Sequence, residues 1–197
     1  MPRVKEVTRV LSAIAAGRGL PGAVDVSEQI FYDVFQVAAA TVGANLIFNV
    51  QSANKNYDVR NLPWDGSKLP ANRGIRIRGI GIAINSDVRA DVSLLEFGVS
   101  FRMEVEDNVA NPKIEPIPLR LLVPGGGSAV ALDGAAAALE AAWGQGPAGQ
   151  MFELATPIDV DPNESYTAEL YVPTALGAIS ASTNLLVAWR CVDIRGM

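Results

Sequence analysis

Two periodicities divide the chain. Over residues 4–14, VKEVTRVLSAI, the side chains Val4, Val7, Val10, Leu11 and Ile14 recur at spacings of three and four, the apolar stripe of an amphipathic helix. Lys5, Glu6 and Arg9 fall on its polar face. The stretch GRGLPG at 17–22 stops this helix, because glycine caps a helix end and proline cannot continue one. From Ile30 onward the period becomes two: short runs of branched and aromatic residues alternate with Gly, Pro, Asn and Asp, the pattern of a sandwich or barrel. The sequence thus predicts a helical arm over residues 1–22 and a single β-sandwich domain over residues 23–197.

Within that domain, IFYDVFQVAAATV and NLIFNVQ read as strands. The polar segment Ser52–Asn72, broken by Pro63 and Pro70 and carrying an Asp65-Gly66 turn signal, reads as a long loop with a short strand at YDVR. In GIRIRGIGIAI, Ile75 and Ile77 point one way while Ile80, Ile82 and Ile84 follow with shifted parity, and a β-bulge near Arg78-Gly79 restores all five to one face. LLEFGVSFRMEV alternates Leu95, Phe97, Val99, Phe101, Met103 and Val105 against Glu96, Arg102 and Glu104, which predicts a half-buried antiparallel strand. After a stretch interrupted by Pro112, Pro116 and Pro118, PLRLLV is the next strand candidate, ended by PGGGS. The alanine-rich DGAAAALEAAW favours a short helix on propensity. QMFELATPI, SYTAELYV and NLLVAWRCVDI close the chain as strands. The expectation is an all-β jelly-roll (Greek-key) β-sandwich of about eight strands, with a short N-terminal amphipathic helix and one short helix in a loop. No repeat of fixed period is visible.

Composition narrows the function classes. At 197 residues the chain is long enough for one core without disulfides or metal. It is 49% hydrophobic and only 19% charged, poor in charge for a monomer whose whole surface stays wet, so part of that surface is expected to meet a partner. A net charge of −5 argues against a surface that wraps nucleic acid throughout. Cys191, the single cysteine, lies in the apolar run LLVAWRCV and reads as a buried small hydrophobe. No stretch reaches the roughly 18 uncharged apolar residues of a membrane helix, and no signal-peptide core is expected at the N-terminus.

The chain contains no histidine, which removes the commonest general base and the Ser-His and Cys-His nucleophile pairs. Carboxylate pairs such as Glu96 with Glu104, or Asp87 with Asp91, remain as acid–base candidates that spacing alone does not support, and a solvated strand face is the simpler account of the two glutamates. Asp159, Asp161, Asn163 and Glu164 crowd oxygens as a calcium loop does, without its glycine and distal glutamate, and Pro162-Asn163 favours a turn. GxGxxG occurs at Gly17–Gly22 and Gly144–Gly149, each time after a predicted helix instead of a strand, and PGGGS lacks the P-loop lysine. No catalytic, cofactor or metal residue is assigned, and the chain is expected not to be an enzyme.

Two other groups stand out. Arg3, Lys5, Arg9 and Arg18 face only Glu6 in the arm, a local charge of about +3; a solvated helix face explains it, and contact with nucleic acid or an acidic neighbour is the functional alternative. Arg73, Arg76 and Arg78 are placed on the outward face of the isoleucine strand, where salt bridges to neighbours are the modest reading. Trp64 and Trp143, in loop segments, either plug the sandwich end or anchor a partner, whereas Trp189 in its apolar strand is core.

An N-terminal helical arm, then short strands, a long loop before a bulged strand and a final apolar strand: this order resembles the single jelly-roll capsid proteins of icosahedral, tailless bacteriophages. LPANRGIRIRGIGIAI and TPIDVDPNESYTAELYVP carry the resemblance, which spans most of residues 28 to 194. It implies a viral structural protein, made in the host cytoplasm and located in the virion, that self-assembles through its sandwich sides, loops and arm. Val4, Val7, Val10, Leu11, Ile14, Trp64 and Trp143 are the candidate interface residues, with Arg3, Lys5, Arg9 and Arg18 as candidate contacts to nucleic acid or an acidic partner. The implied partners are further copies, other capsid proteins, and genome or an internal membrane at the arm; no cofactor or small-molecule substrate is implied. The rival readings are a receptor- or carbohydrate-binding sandwich of a phage fibre or lectin type, with Trp64, Asp65 and the Asp159–Glu164 turn gathered in space, and a carboxylate enzyme with a cleft.

Overall fold

A computed structural model describes residues 24–49, 60–85, 89–105, 113–122, 129–132, 139–142, 151–177, 179 and 183–196. The predicted arm therefore lies outside the described residues. Eight strands form two four-stranded antiparallel sheets. The first sheet has the order β1 (Val24–Gln36), β10 (Asn184–Gly196), β3 (Arg73–Asn85), β8 (Phe152–Val160); the second has β2 (Gly43–Ile47), β9 (Tyr166–Val172), β4 (Ser100–Val105), β5 (Lys113–Pro118). The chain crosses between the two sheets at nearly every connection, and within them only β4 and β5 are sequential neighbours. This is a jelly-roll-like β-sandwich.

The predicted bulge is present. β10 pairs with β3 in one register from Asn184↔Asn85 to Arg190↔Gly79 and resumes at Cys191↔Ile77, leaving Arg78 as the extra residue. Because side chains alternate along a strand, that one residue resets the parity, and Ile75, Ile77, Ile80, Ile82 and Ile84 are all buried. Facing them are Phe101, Met103 and Val105 of β4 and Tyr166, Ala168, Leu170 and Val172 of β9, while Trp189, wholly buried, fills the centre from β10. Each isoleucine contributes about 1.5–3 kcal/mol by leaving water.

Three sequence expectations are corrected. LLEFGVSFRMEV is not one strand: residues Arg89–Gly98 form helix α1, ended at Gly98, and the strand begins only at Ser100. Alternation over Leu95–Val99 also fits one helical turn. Asp91 and Leu95, four apart, are buried, whereas Phe97 is exposed and Glu96 is buried instead of solvated. PLRLLV is not a strand either. The proline-bearing Lys113–Pro118 forms β5, and Leu119–Leu122 forms a single helical turn, α2. Prolines are tolerated there because β5 lies at the sheet edge and carries a register shift between Ile117 and Ile114. In the alanine-rich segment, Leu139–Ala142 is strand β7, paired with β6 (Ala129–Leu132), so cross-strand pairing overrides a weak helix preference. No helix among the described residues is long and apolar enough to cross a membrane.

Candidate functional site

One end of the sandwich is filled by polar groups that close on one another. The loop residue Trp64 is 3% exposed, and its indole Nε1 donates to the Tyr166 hydroxyl at 2.8 Å, which donates onward to the Phe48 carbonyl at 2.6 Å. Of the two readings left open for Trp64, the structure takes the plug: the ring stands edge-on to Phe31 at 5.1 Å, inside the fold, and does not present itself to a partner. Phe48 has φ +57°, a left-handed conformation disfavoured for a bulky residue, and its ring stacks on Trp189 with centroids 3.7 Å apart. Its N–H donates to Asp33 Oδ2 at 2.9 Å, and Arg60 Nε lies 3.2 Å from Asp33 Oδ1. Burial raises the Asp33 carboxyl above its ordinary range, against the lowering influence of the Phe48 N–H and Arg60. Burial likewise pushes the Tyr166 hydroxyl and the Cys191 thiol upward, which leaves both neutral and unreactive at pH 7.

Arg73 belongs to the same belt, and its expected outward position is a second correction of parity. It shares the inward face with Ile75 and Ile77, is 7% exposed, and sits 5.2 Å over the Trp64 ring. Arg76 and Arg78 do face outward. Arg76 makes a bidentate pair with Asp159 at 2.7 and 2.8 Å, Arg190 pairs with Glu153, and Arg78 reaches across β10 to Glu28 at 3.8 Å. In the Asp159–Glu164 turn, the Glu164 carboxylate accepts the Asp161 N–H at 2.7 Å and Asn163 has φ +63°. The Glu164 carboxylate thus serves the turn and that of Asp159 is held by Arg76, and no group of three or more acidic or cysteine side chains is placed to hold a metal among the described residues.

The second sheet presents different chemistry on its outer face. Arg102 pairs with Glu169 and lies 5.5 Å over the Tyr171 ring. Beside this pair, at the register shift of β5, is a depression of about 200 Å³ lined by Arg102, Met103, Glu104, Ile114, Glu115, Pro116, Thr167 and Glu169. At the opposite end of β4 and β5, helices α1 and α2 pack together and expose Leu94, Phe97 and Leu121. Arg120 lies 5.0 Å over the Phe97 ring. Sequence reasoning missed this patch because it assigned Phe97 to a buried strand face; the Leu94–Phe97 spacing of three was the available signal for a helical face.

Of the candidate interface and contact residues, Val4, Val7, Val10, Leu11, Ile14, Trp143, Arg3, Lys5, Arg9 and Arg18 lie outside the described residues, as do both GxGxxG segments and PGGGS. No protein-family model matches the chain, and no curated protein matches it in sequence.

Proposed function

We propose that this chain is a non-catalytic capsid subunit of an icosahedral virus, assembling with copies of itself through its sandwich sides, loops and N-terminal arm. The strand order β1-β10-β3-β8 over β2-β9-β4-β5 carries the reading, since it makes a two-sheet building block of the jelly-roll kind used in viral shells. Low overall charge supports it, because identical copies repel one another less. So do the large apolar side chains left half-exposed on several faces, among them Ile30, Val42, Leu46 and Phe97.

The carbohydrate-binding alternative requires an exposed aromatic platform beside acidic groups. The two loops do lie together: Leu69 N–H donates to the Glu164 carbonyl at 3.0 Å and Tyr166 N–H to the Ser67 carbonyl at 2.8 Å. The aromatic of that cluster, Trp64, is buried, however, and Asp159 is engaged by Arg76. A glycan-array screen of the purified chain is the direct check on that alternative.

The test of the capsid reading is mass in solution. Light scattering coupled to size exclusion, across concentration and salt, with electron microscopy of the largest species, is expected to show shells, rings or large symmetric oligomers. A monomer under every condition, with nucleic acid or lipid present as well, overturns it.

A further inference from the structure

Phe97 is 65% exposed, more than any other large apolar side chain among the described residues. Its neighbours in the α1–α2 knob, Leu94 and Leu121, are 40% and 57% exposed, and the Arg120 guanidinium rides on its ring. An exposed apolar group of this kind marks a contact surface. It is an aromatic ring beside an arginine, two kinds of residue enriched at protein interfaces.

The depression between β4, β5 and β9 has the complementary character. Its lining is more polar than apolar: Ile114 and Pro116 supply the apolar part, Met103 belongs to the core beneath, and the rim sets three carboxylates, Glu104, Glu115 and Glu169, against Arg102. At about 200 Å³ it is smaller than the roughly 300–1,000 Å³ of small-molecule sites and suits one protein side chain. The knob joins β4 at Ser100, and the depression opens at Arg102–Glu104 of the same strand, about 7–13 Å farther along at ~3.3 Å per residue. Phe97 is not among the side chains that line its own chain's depression.

We infer that Phe97 and Arg120 of one copy seat at the β4–β5–β9 depression of a second copy, ring over Ile114 and Pro116 and guanidinium against the acidic rim. The occupant is a second copy because both halves of the contact, opposite in charge, are carried by the same chain. Two different surfaces meet, so the contact is head-to-tail: each subunit keeps one free knob and one free depression, and growth through this contact runs on into a ring or an open helical array instead of stopping at a dimer. The inference rests on the self-assembly reading and names its interface.

The experiment uses full-length chain, with F97D as the knob variant and E104K/E115K as the depression variant, each checked by circular dichroism for a wild-type fold. Mass is read by light scattering and native mass spectrometry. Each variant alone is expected to need a concentration higher by about tenfold or more to assemble. Mixed together, they retain one good knob and one good depression, and a 1:1 heterodimer that grows no further is the expected species. Wild-type assembly with both variants assembling equally well overturns this interface while leaving the self-assembly reading standing. Folded variants that stay monomeric even when mixed also overturn it, and so does growth of the mixture beyond the dimer. A wild-type chain that never assembles overturns both readings at once.

Discussion

Arg73 and Asp193 form a bidentate ion pair inside the sandwich, Nε to Oδ1 at 2.8 Å and Nη2 to Oδ2 at 2.9 Å, with the carboxylate wholly buried. The pair ties the end of the long loop to the last strand, and Arg195, at 2.7 Å from the same carboxylate, closes it from the solvent side. A buried charge stripped of its partner is costly, whereas an apolar pair in the same space is tolerated. Asp193→Leu is expected to destabilise by about 3–5 kcal/mol, and the double variant R73M/D193L by clearly less than the sum of its single changes. Urea unfolding of the four proteins of the cycle checks this.

Asp33 sets a pH dependence whose sign follows from the direction of its shift. Its folded carboxyl lies above the ordinary value of 3.8, chiefly through burial. The stability linked to it is therefore fully present below that value and is lost as pH rises through the folded pKa. Relative to Asp33→Asn, which cannot titrate, the wild type is expected to gain stability on going from pH 7 toward pH 4. Melting temperatures of both proteins across that range provide the measurement. The opposite slope would mean that the Arg60 pair outweighs desolvation.

Arg78 is needed as a residue and hardly as a side chain. Its ion pair with Glu28 is long and half in solvent, so Arg78→Ala is expected to cost less than about 1 kcal/mol. Deleting Arg78 removes the extra residue of the bulge and turns at least two of the five isoleucines outward, a loss of about 3–6 kcal/mol from burial alone. That is comparable with the whole stability of a domain, typically about 5–15 kcal/mol. Thermal melts are expected to show a near-normal transition for the substitution and no cooperative transition for the deletion.

Phe48 separates packing from backbone strain. Phe48→Ala loses the stack on Trp189 and is expected to cost about 3–5 kcal/mol. Phe48→Gly loses the same contact but relieves the left-handed φ, worth about 1–2 kcal/mol, and should be the more stable of the two. Equal stabilities would show that the conformation carries no penalty.

Alternation along a strand is a local property, and where it governs, the chain could be read directly. The parity switch at Arg78, the burial of Trp189 and the three closing strands were all legible, because each depends on which neighbours along the same strand share a face. By the same rule Arg73 was legible too, since its parity matches Ile75 and Ile77; its charge argued for the wrong face. Other features are decided by what arrives from elsewhere in the chain. Leu95–Val99 suits a strand or a helical turn, and pairing begins only at Ser100, opposite Tyr171 of β9. Lys113–Pro118 becomes a strand because topology puts it at an edge, where missing N–H donors are tolerated.

The exchanged fates of Trp64 and Phe97 state the division most clearly. Trp64 comes from a polar loop and is buried; Phe97 comes from an apolar run and is exposed. By itself the sequence determined the periodicities, and with them the sandwich, its bulge and most of its core. Only the tertiary structure decided which side chains find a partner from a distant element, as Trp64 finds Tyr166 across 102 positions, because desolvation depends on everything packed around a group and not on its neighbours in the chain.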